Sequence, residues 1–200
     1  MIVKYPVTQS MRQVVDKISS DDFIAYLQER ETAATGYTSQ IQAVNYYHGH
    51  IWELIQHLKE MAQEPASKKL RFPLVWLPED ITYNINPRGY STATVRLIVC
   101  HHTEKPYSSE QREDIVFEPV LRPIADKLIQ GIANNRQFFV ISDRANMTFD
   151  YTERKYWGRE DFGDGTTNTA NKLNDQVDAI DIQGLEIPLS EACYYPQNIN

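Results

Sequence analysis

The chain has 200 residues, 42% hydrophobic and 24% charged, an ordinary globular composition with length for one sizeable core, so a single domain over 1–200 is expected. No window approaches the roughly 20 consecutive apolar residues of a membrane span, and the opening Met1-Ile2-Val3-Lys4-Tyr5-Pro6 lacks an apolar signal-peptide core, so membrane insertion and secretion are not expected. A formal net charge of -7, a pI of about 5.2 and scattered basic residues argue against gripping nucleic acid through its phosphates, while suiting a protein that encloses DNA without holding it.

After an extended N-terminal arm over 1–8, Ser10 and Gln13 stand at capping-box spacing, and Met11, Val14, Val15 and Ile18 form one face of a short helix ending at Ser19-Ser20-Asp21-Asp22. Phe23, Ile24, Tyr26 and Leu27 fit either another helical turn or a strand. Ile41, Val44, His48, Ile51, Ile55, Leu58 and Ala62 then repeat at spacings of three and four, a long amphipathic helix widened by Trp52 and closed at Glu64-Pro65. Gly49 costs about 1 kcal/mol against Ala inside a helix, which offers His50 as an alternative start with Asn45–His48 in another conformation.

Phe72 to Leu77, bounded by Pro73 and Pro78, and the β-branched run Ala93 to Cys100 read as strands. The turn signal Pro87-Arg88-Gly89 between them predicts a long hairpin with a projecting tip. Ser108 and Gln111 repeat the capping-box spacing. Ile115, Val116, Val120, Ile124, Leu128, Ile129 and Ile132 follow as a second long helix, which Pro119 and Pro123 must kink and which Gly131 or Asn134 would end.

Phe138 to Ser142 and Met147 to Tyr151 read as a strand pair, the polar stretch 163–174 as a flexible loop, and Gln176 to Leu189 as a final outer strand. On that strand Asp175, Asp178, Asp181 and Glu186 are expected at exposed positions, and 190–200 is expected to be a frayed or partner-bound tail. This order predicts an α+β fold, an antiparallel or mixed β-sheet packed on one face by two long α-helices.

The residues that carry chemistry do not assemble into a motif. Cys100 and Cys193 lack zinc or disulfide spacing and read as free thiols in a reducing compartment. His48 and His50 are two apart and His101 and His102 adjacent, without the pattern that sets two ligands on one helix face. No GxSxG, Walker or GxGxxG sequence is present. Glu160, Asp161 and Asp164 lack EF-hand spacing, and the acidic pairs Asp21-Asp22 and Glu160-Asp161 have nothing beside them to split their acidities. Cys100 and His101, neighbours in a strand, point to opposite faces. No catalytic residue, metal or cofactor is assigned, and the chain is read as a non-enzyme; an enzyme built on these histidines is the third alternative.

With 12 Tyr, 7 Phe and 3 Trp, many of the aromatics fall in turns or at segment ends. Tyr83, Arg88, Tyr90, Tyr156, Trp157, Tyr194 and Tyr195 are the candidate partner interface, since Tyr, Trp and Arg dominate protein interfaces. Capping the domain's own core is the alternative use for the aromatics. Tyr107 and Tyr151 stand in similar positions.

The segments Asn45-Tyr46-Tyr47-His48-Gly49-His50, Phe72-Pro73-Leu74-Val75, Phe117-Glu118-Pro119-Val120-Leu121-Arg122-Pro123-Ile124, Tyr156-Trp157-Gly158-Arg159 and Asp178-Ala179-Ile180-Asp181-Ile182 resemble a family of structural proteins from phages and prophages of Bacteroidetes, over about residues 40–189. The order of elements further resembles phage tail completion, or tail terminator, proteins. That resemblance implies a virion protein of the tail or neck, made in the bacterial host cytoplasm. It would form a homo-oligomeric ring between connector and tail tube, with DNA passing through without specific binding. A non-enzymatic cytosolic protein-binding module encoded in a prophage is the alternative.

Overall fold

A computed structural model describes residues 2–3, 7–63, 71–86, 91–103, 106–135, 147–157, 176–189 and 194–195. In chain order these form β1 (Ile2–Val3), α1 (Val7–Ile18), α2 (Asp21–Thr35), β2 (Asn45–His48), α3 (Ile51–Gln63), β3 (Leu74–Leu77), β4 (Thr82–Asn84) and β5 (Ser91–His102). There follow α4 (Ser109–Arg112), a π-helical segment (Glu113–Leu121), α5 (Arg122–Asn134), β6 (Asp150–Trp157), β7 (Val177–Leu189) and β8 (Tyr194–Tyr195).

The fold is α+β around a mixed sheet. Its strands run β2-β3-β5-β7-β6, with β4 beside the first half of β5 and β3 beside the second. Among the described residues only the β2–β3 pair is parallel. β1 and β8 make a separate two-stranded ribbon in which Ile2 faces Tyr195 and Val3 faces Tyr194.

Helices cover both faces of the sheet, which corrects the expectation of two long helices on one face. Val75, Leu77, Val95, Leu97, Val99, Ile180, Ile182, Leu185 and Ile187 pack against α1, α2, α5 and the π segment. On the opposite face Leu74, Trp76, Ile98, Cys100, Val177 and Ala179 pack against Leu54, Ile55 and Leu58 of α3. Side chains alternate along a strand, so an unbroken apolar run such as Leu97-Ile98-Val99-Cys100 requires burial on both faces.

α1 starts at Val7, because Val7 extends the stripe of Met11, Val14, Val15 and Ile18, and Ser10 is buried within the helix instead of capping it. The arm expected over 1–8 is correspondingly shorter. Residues 21–35, ambiguous in sequence, form a helix that buries only Ile24 and Leu27. Residues 45–48 form a strand, and α3 begins after His50, whose Nδ1 accepts the Trp52 amide at 3.2 Å while Glu53 Oε2 accepts the His50 amide at 3.3 Å. This reciprocal cap does for a histidine what a capping box does for Ser.

The capping box at Ser108 forms as expected, with Gln111 N–H to Ser108 Oγ at 3.2 Å and Ser108 N–H to Gln111 Oε1 at 2.9 Å. The two prolines widen the helix to a π register, in which the Arg122 amide bonds to the Phe117 carbonyl five residues back. In that register Pro123 has no N–H for the Glu118 carbonyl, and Arg30 Nη2 donates to it instead at 2.9 Å. Gly131 does not end the helix. It lies within α5 where α1 crosses, and a Cβ there would meet Val14 at 2.9 Å.

β7 is a central strand, paired with β5 on one side and β6 on the other. Asp178 and Asp181 are therefore fully buried, against the expectation of exposure, whereas Glu186 is exposed. Asp175 lies outside the described residues. Gly184, at φ 64°, makes a bulge that shifts the buried parity of β7 from Ile180 and Ile182 to Leu185 and Ile187. Residues 150–157 make the strand expected nearby, later than Met147; the strand at 138–142 and the loop at 163–174 lie outside the described residues.

Candidate functional site

The expected hairpin is built with an extra strand. β3 pairs antiparallel with β5, and β4 within the connection also pairs with β5, up to Asn84 opposite Thr92. Tyr83 sits half-buried on β4 against the main core, Ile85 is exposed, and the Asn86 amide bonds to Ser91 Oγ at 3.0 Å. Arg88 and Tyr90 lie outside the described residues. Tyr194 and Tyr195 form β8.

Tyr156 and Trp157 lie at the other end of the sheet, where Trp157 faces Val177 and, across β7, His102. Ala93 beside Tyr83 and His102 are nine residues apart on β5, about 30 Å at about 3.4 Å per residue. Trp157 is buried, its ring 5.7 Å from Trp76. Tyr156 stays 39% exposed and is held at φ 60°, with its amide on Asp178 Oδ1 at 2.9 Å and its ring over the Arg112 guanidinium at 3.8 Å.

Beneath Tyr156 lies a buried ion pair. Arg112 Nη1 donates to Asp178 Oδ1 at 2.7 Å and to Thr103 Oγ1 at 3.2 Å, and Nε donates to the Tyr107 carbonyl at 3.2 Å. Asp178 Oδ2 is buried without a hydrogen-bond partner. On the other face Asp181 receives Arg96 at 2.8 and 2.6 Å and Arg154 at 3.0 Å. Burial works to raise the Asp181 pKa, but hydrogen bonds from Arg96 and Gln183 and the charges of Arg96 and Arg154 outweigh it and hold the carboxyl below its usual range.

A groove of about 400 Å³ separates α2 and α5 from the start of β6. Tyr26 and Tyr151 stand exposed on its rim, while Ile129 and Ile182 are buried at its floor. Arg122 crosses it, bonded to Glu113, to Glu118 at 3.2 Å and to Glu153 at 2.7 Å. Burial, then the charge and hydrogen bond of Glu153, push the Tyr151 phenol up to about 12. The guanidinium is thus already neutralised by the chain's own carboxylates.

A larger cavity of about 630 Å³ opens between the end of α2, the 36–41 connection and the end of β5. At its wall Nε2 of buried His101 lies 2.9 Å from Glu31 Oε1, and Ser39 Oγ bonds to Glu31 Oε2. Burial raises the Glu31 pKa, but the hydrogen bond and charge of His101, with the Ser39 bond, outweigh it and leave the carboxyl below its usual value. Cys100 points into the opposite core, where burial pushes its thiol far up and away from the nucleophilic thiolate. His48 sits on β2 with Nδ1 3.0 Å from the Leu77 carbonyl, and not on a helix face.

Among the described residues no group of three or more His, Cys, Asp or Glu side chains converges as a metal site requires. No described helix is long and apolar enough to cross a membrane. Sequence reading passed over Glu31, Arg112 and Arg122. The signal for the buried ion pair was present: Arg112 stands four residues before Val116 on an apolar stripe, and Asp178 shares strand parity with Ile180 and Ile182. The chain matches no protein-family model, no curated protein and no solved structure in such comparisons.

Proposed function

We propose that this chain is a structural virion protein of a phage tail or neck that closes head to tail into a ring at the head-proximal end of the tail. The single observation that carries the reading is the separation of its interface candidates. Tyr83, with Ile85 and Asn86, lies at one end of the sheet and Tyr156 at the other, about 30 Å away. A closed heterologous ring needs two different surfaces on each subunit, not one self-complementary patch.

The net charge of -7 fits a conduit through which DNA slides without specific binding, with connector and tail-tube proteins as the neighbours above and below. Light scattering across a concentration series, with imaging of any large species, tests the reading: rings of about six or twelve subunits are expected. Replacing 85–90 by a two-residue turn should leave a folded monomer and abolish the ring. A variant that still assembles would remove the hairpin from the interface, and a wild-type chain that stays monomeric at every concentration would sink the reading.

A second reading, a non-enzymatic protein-binding module encoded in a prophage, draws on the groove rimmed by Tyr26 and Tyr151. It predicts a discrete small complex in place of a ring.

A further inference from the structure

The cavity of about 630 Å³ at the end of β5 has walls that belong to both cores of the protein. Ile41 and Val116 come from the core beneath α1, α2 and the π segment, and Phe72 from the core beneath α3. Small-molecule sites have volumes of roughly 300–1,000 Å³ and an apolar lining interrupted by a few placed polar groups. Here the charged groups gather at two ends.

The first end is Glu31 with His101. Glu31 is held as a carboxylate and can only accept, so Nε2 of His101, 2.9 Å away, carries the hydrogen between them. Nδ1 of His101 is buried without a hydrogen-bond partner among the described residues, and in the neutral ring it too is an acceptor. The nearby hydroxyl hydrogens are already engaged, that of Ser39 on Glu31 Oε2 and that of Thr35 on the Glu31 carbonyl at 2.7 Å. This wall therefore offers negative charge and lone pairs, and its complement is a cation with N–H donors.

The second end is Arg71, which is 3% exposed, with its guanidinium 5.8 Å over the Phe72 ring and Nη1 on the Leu58 carbonyl at 3.4 Å. Leu58 belongs to α3, whereas His101 shares strand parity with Val99 and meets α2. The two charges thus stand on opposite faces of the sheet, on the order of 10 Å apart. Between them Ile41, Phe72, Ile115 and Val116 supply apolar surface. A plain cation would meet Arg71 and a plain anion would meet Glu31, so an occupant of either kind leaves one end opposed.

We propose that this cavity binds a small zwitterion whose ammonium and carboxylate are separated by an apolar spacer, as in an ω-amino acid. The ammonium lies at Glu31 and the carboxylate at Arg71, whose planar guanidinium suits it. This goes beyond the ring reading and does not depend on it.

The test is titration calorimetry of the full chain with 5-aminopentanoate, pentylammonium and pentanoate, which share a carbon chain and differ in their end groups. The zwitterion should bind roughly tenfold more tightly than either single-headed compound. Glu31→Gln should remove its advantage over pentanoate while leaving pentanoate itself unchanged. Thr38 is an exposed residue of the rim, so Thr38→Trp should keep the fold, which circular dichroism checks, and block all three compounds. Equal affinity for 5-aminopentanoate and pentanoate, or no binding up to about 10 mM, would overturn the proposal. So would undiminished binding to a folded Thr38→Trp chain, which would put the ligand elsewhere.

Discussion

Arg112 Nη1 lies 2.7 Å from Asp178 Oδ1, with both side chains wholly removed from solvent and 66 residues apart in the chain. Burying two charges costs several kcal/mol each, and here the Thr103 hydroxyl, the Tyr107 carbonyl, the Tyr156 amide and the Tyr156 ring help to offset it. Removing one partner leaves the other charge stranded. Asp178→Leu should lose about 3–5 kcal/mol of unfolding free energy, while Arg112→Met with Asp178→Leu should lose much less. Urea denaturation of the single and double variants checks this; equal losses would mean that the charges do not act as a pair.

The lowered pKa values of Glu31 and Asp181 set the direction of a pH effect. A carboxylate whose pKa is lower folded than unfolded stabilises the protein above its unfolded value, about 4.3 for Glu and 3.9 for Asp. That contribution disappears as pH falls through the folded value. Glu31→Gln and Asp181→Asn should each be less stable than wild type at pH 7, and the gap should close as the pH drops below about 4. Denaturation midpoints at a series of pH values decide it, and a gap that widens in acid would reverse the assignment.

Gly184 isolates a backbone effect, because a Cβ there meets nothing within 4 Å while φ is +64°. Gly184→Ala should cost about 1–2 kcal/mol and Gly184→Asn less, since Asn tolerates the left-handed region. Thermal unfolding of both variants measures the difference. Equal stability of Gly and Ala would show that the bulge relaxes.

Cys100 is buried with its thiol pKa raised, so in a Cys193→Ser background a thiol reagent should find nothing to modify in the native protein. One thiol per chain should appear on addition of denaturant. Rapid labelling of the native form would contradict the burial of this strand face.

Several elements could be read from residue types alone. The Met11, Val14, Val15 and Ile18 stripe and the Ile124, Leu128, Ile129 and Ile132 stripe are the buried faces of α1 and α5, and Ser108 with Gln111 caps where expected. The α2 segment was ambiguous because a helix that buries only Ile24 and Leu27 leaves almost no periodic trace. Of the interface candidates Trp157 turns inward onto Trp76, while Tyr156 stays partly exposed with its inner ring face on Arg112, because strand position does not say what a neighbouring strand supplies.

Local spacing determined which residues share a face of a helix or strand, since the periods of 3.6 and 2 are properties of the backbone itself. It also determined the absence of familiar catalytic motifs and the acidic character of the chain. Tertiary structure alone decided that β7 is central, that α3 lies on the opposite face from α1 and α5, and that Asp178 meets Arg112 and Glu31 meets His101. Those outcomes depend on the order of strands across the sheet, which is set by the total apolar area that can be buried at once and leaves no periodic mark in any one segment.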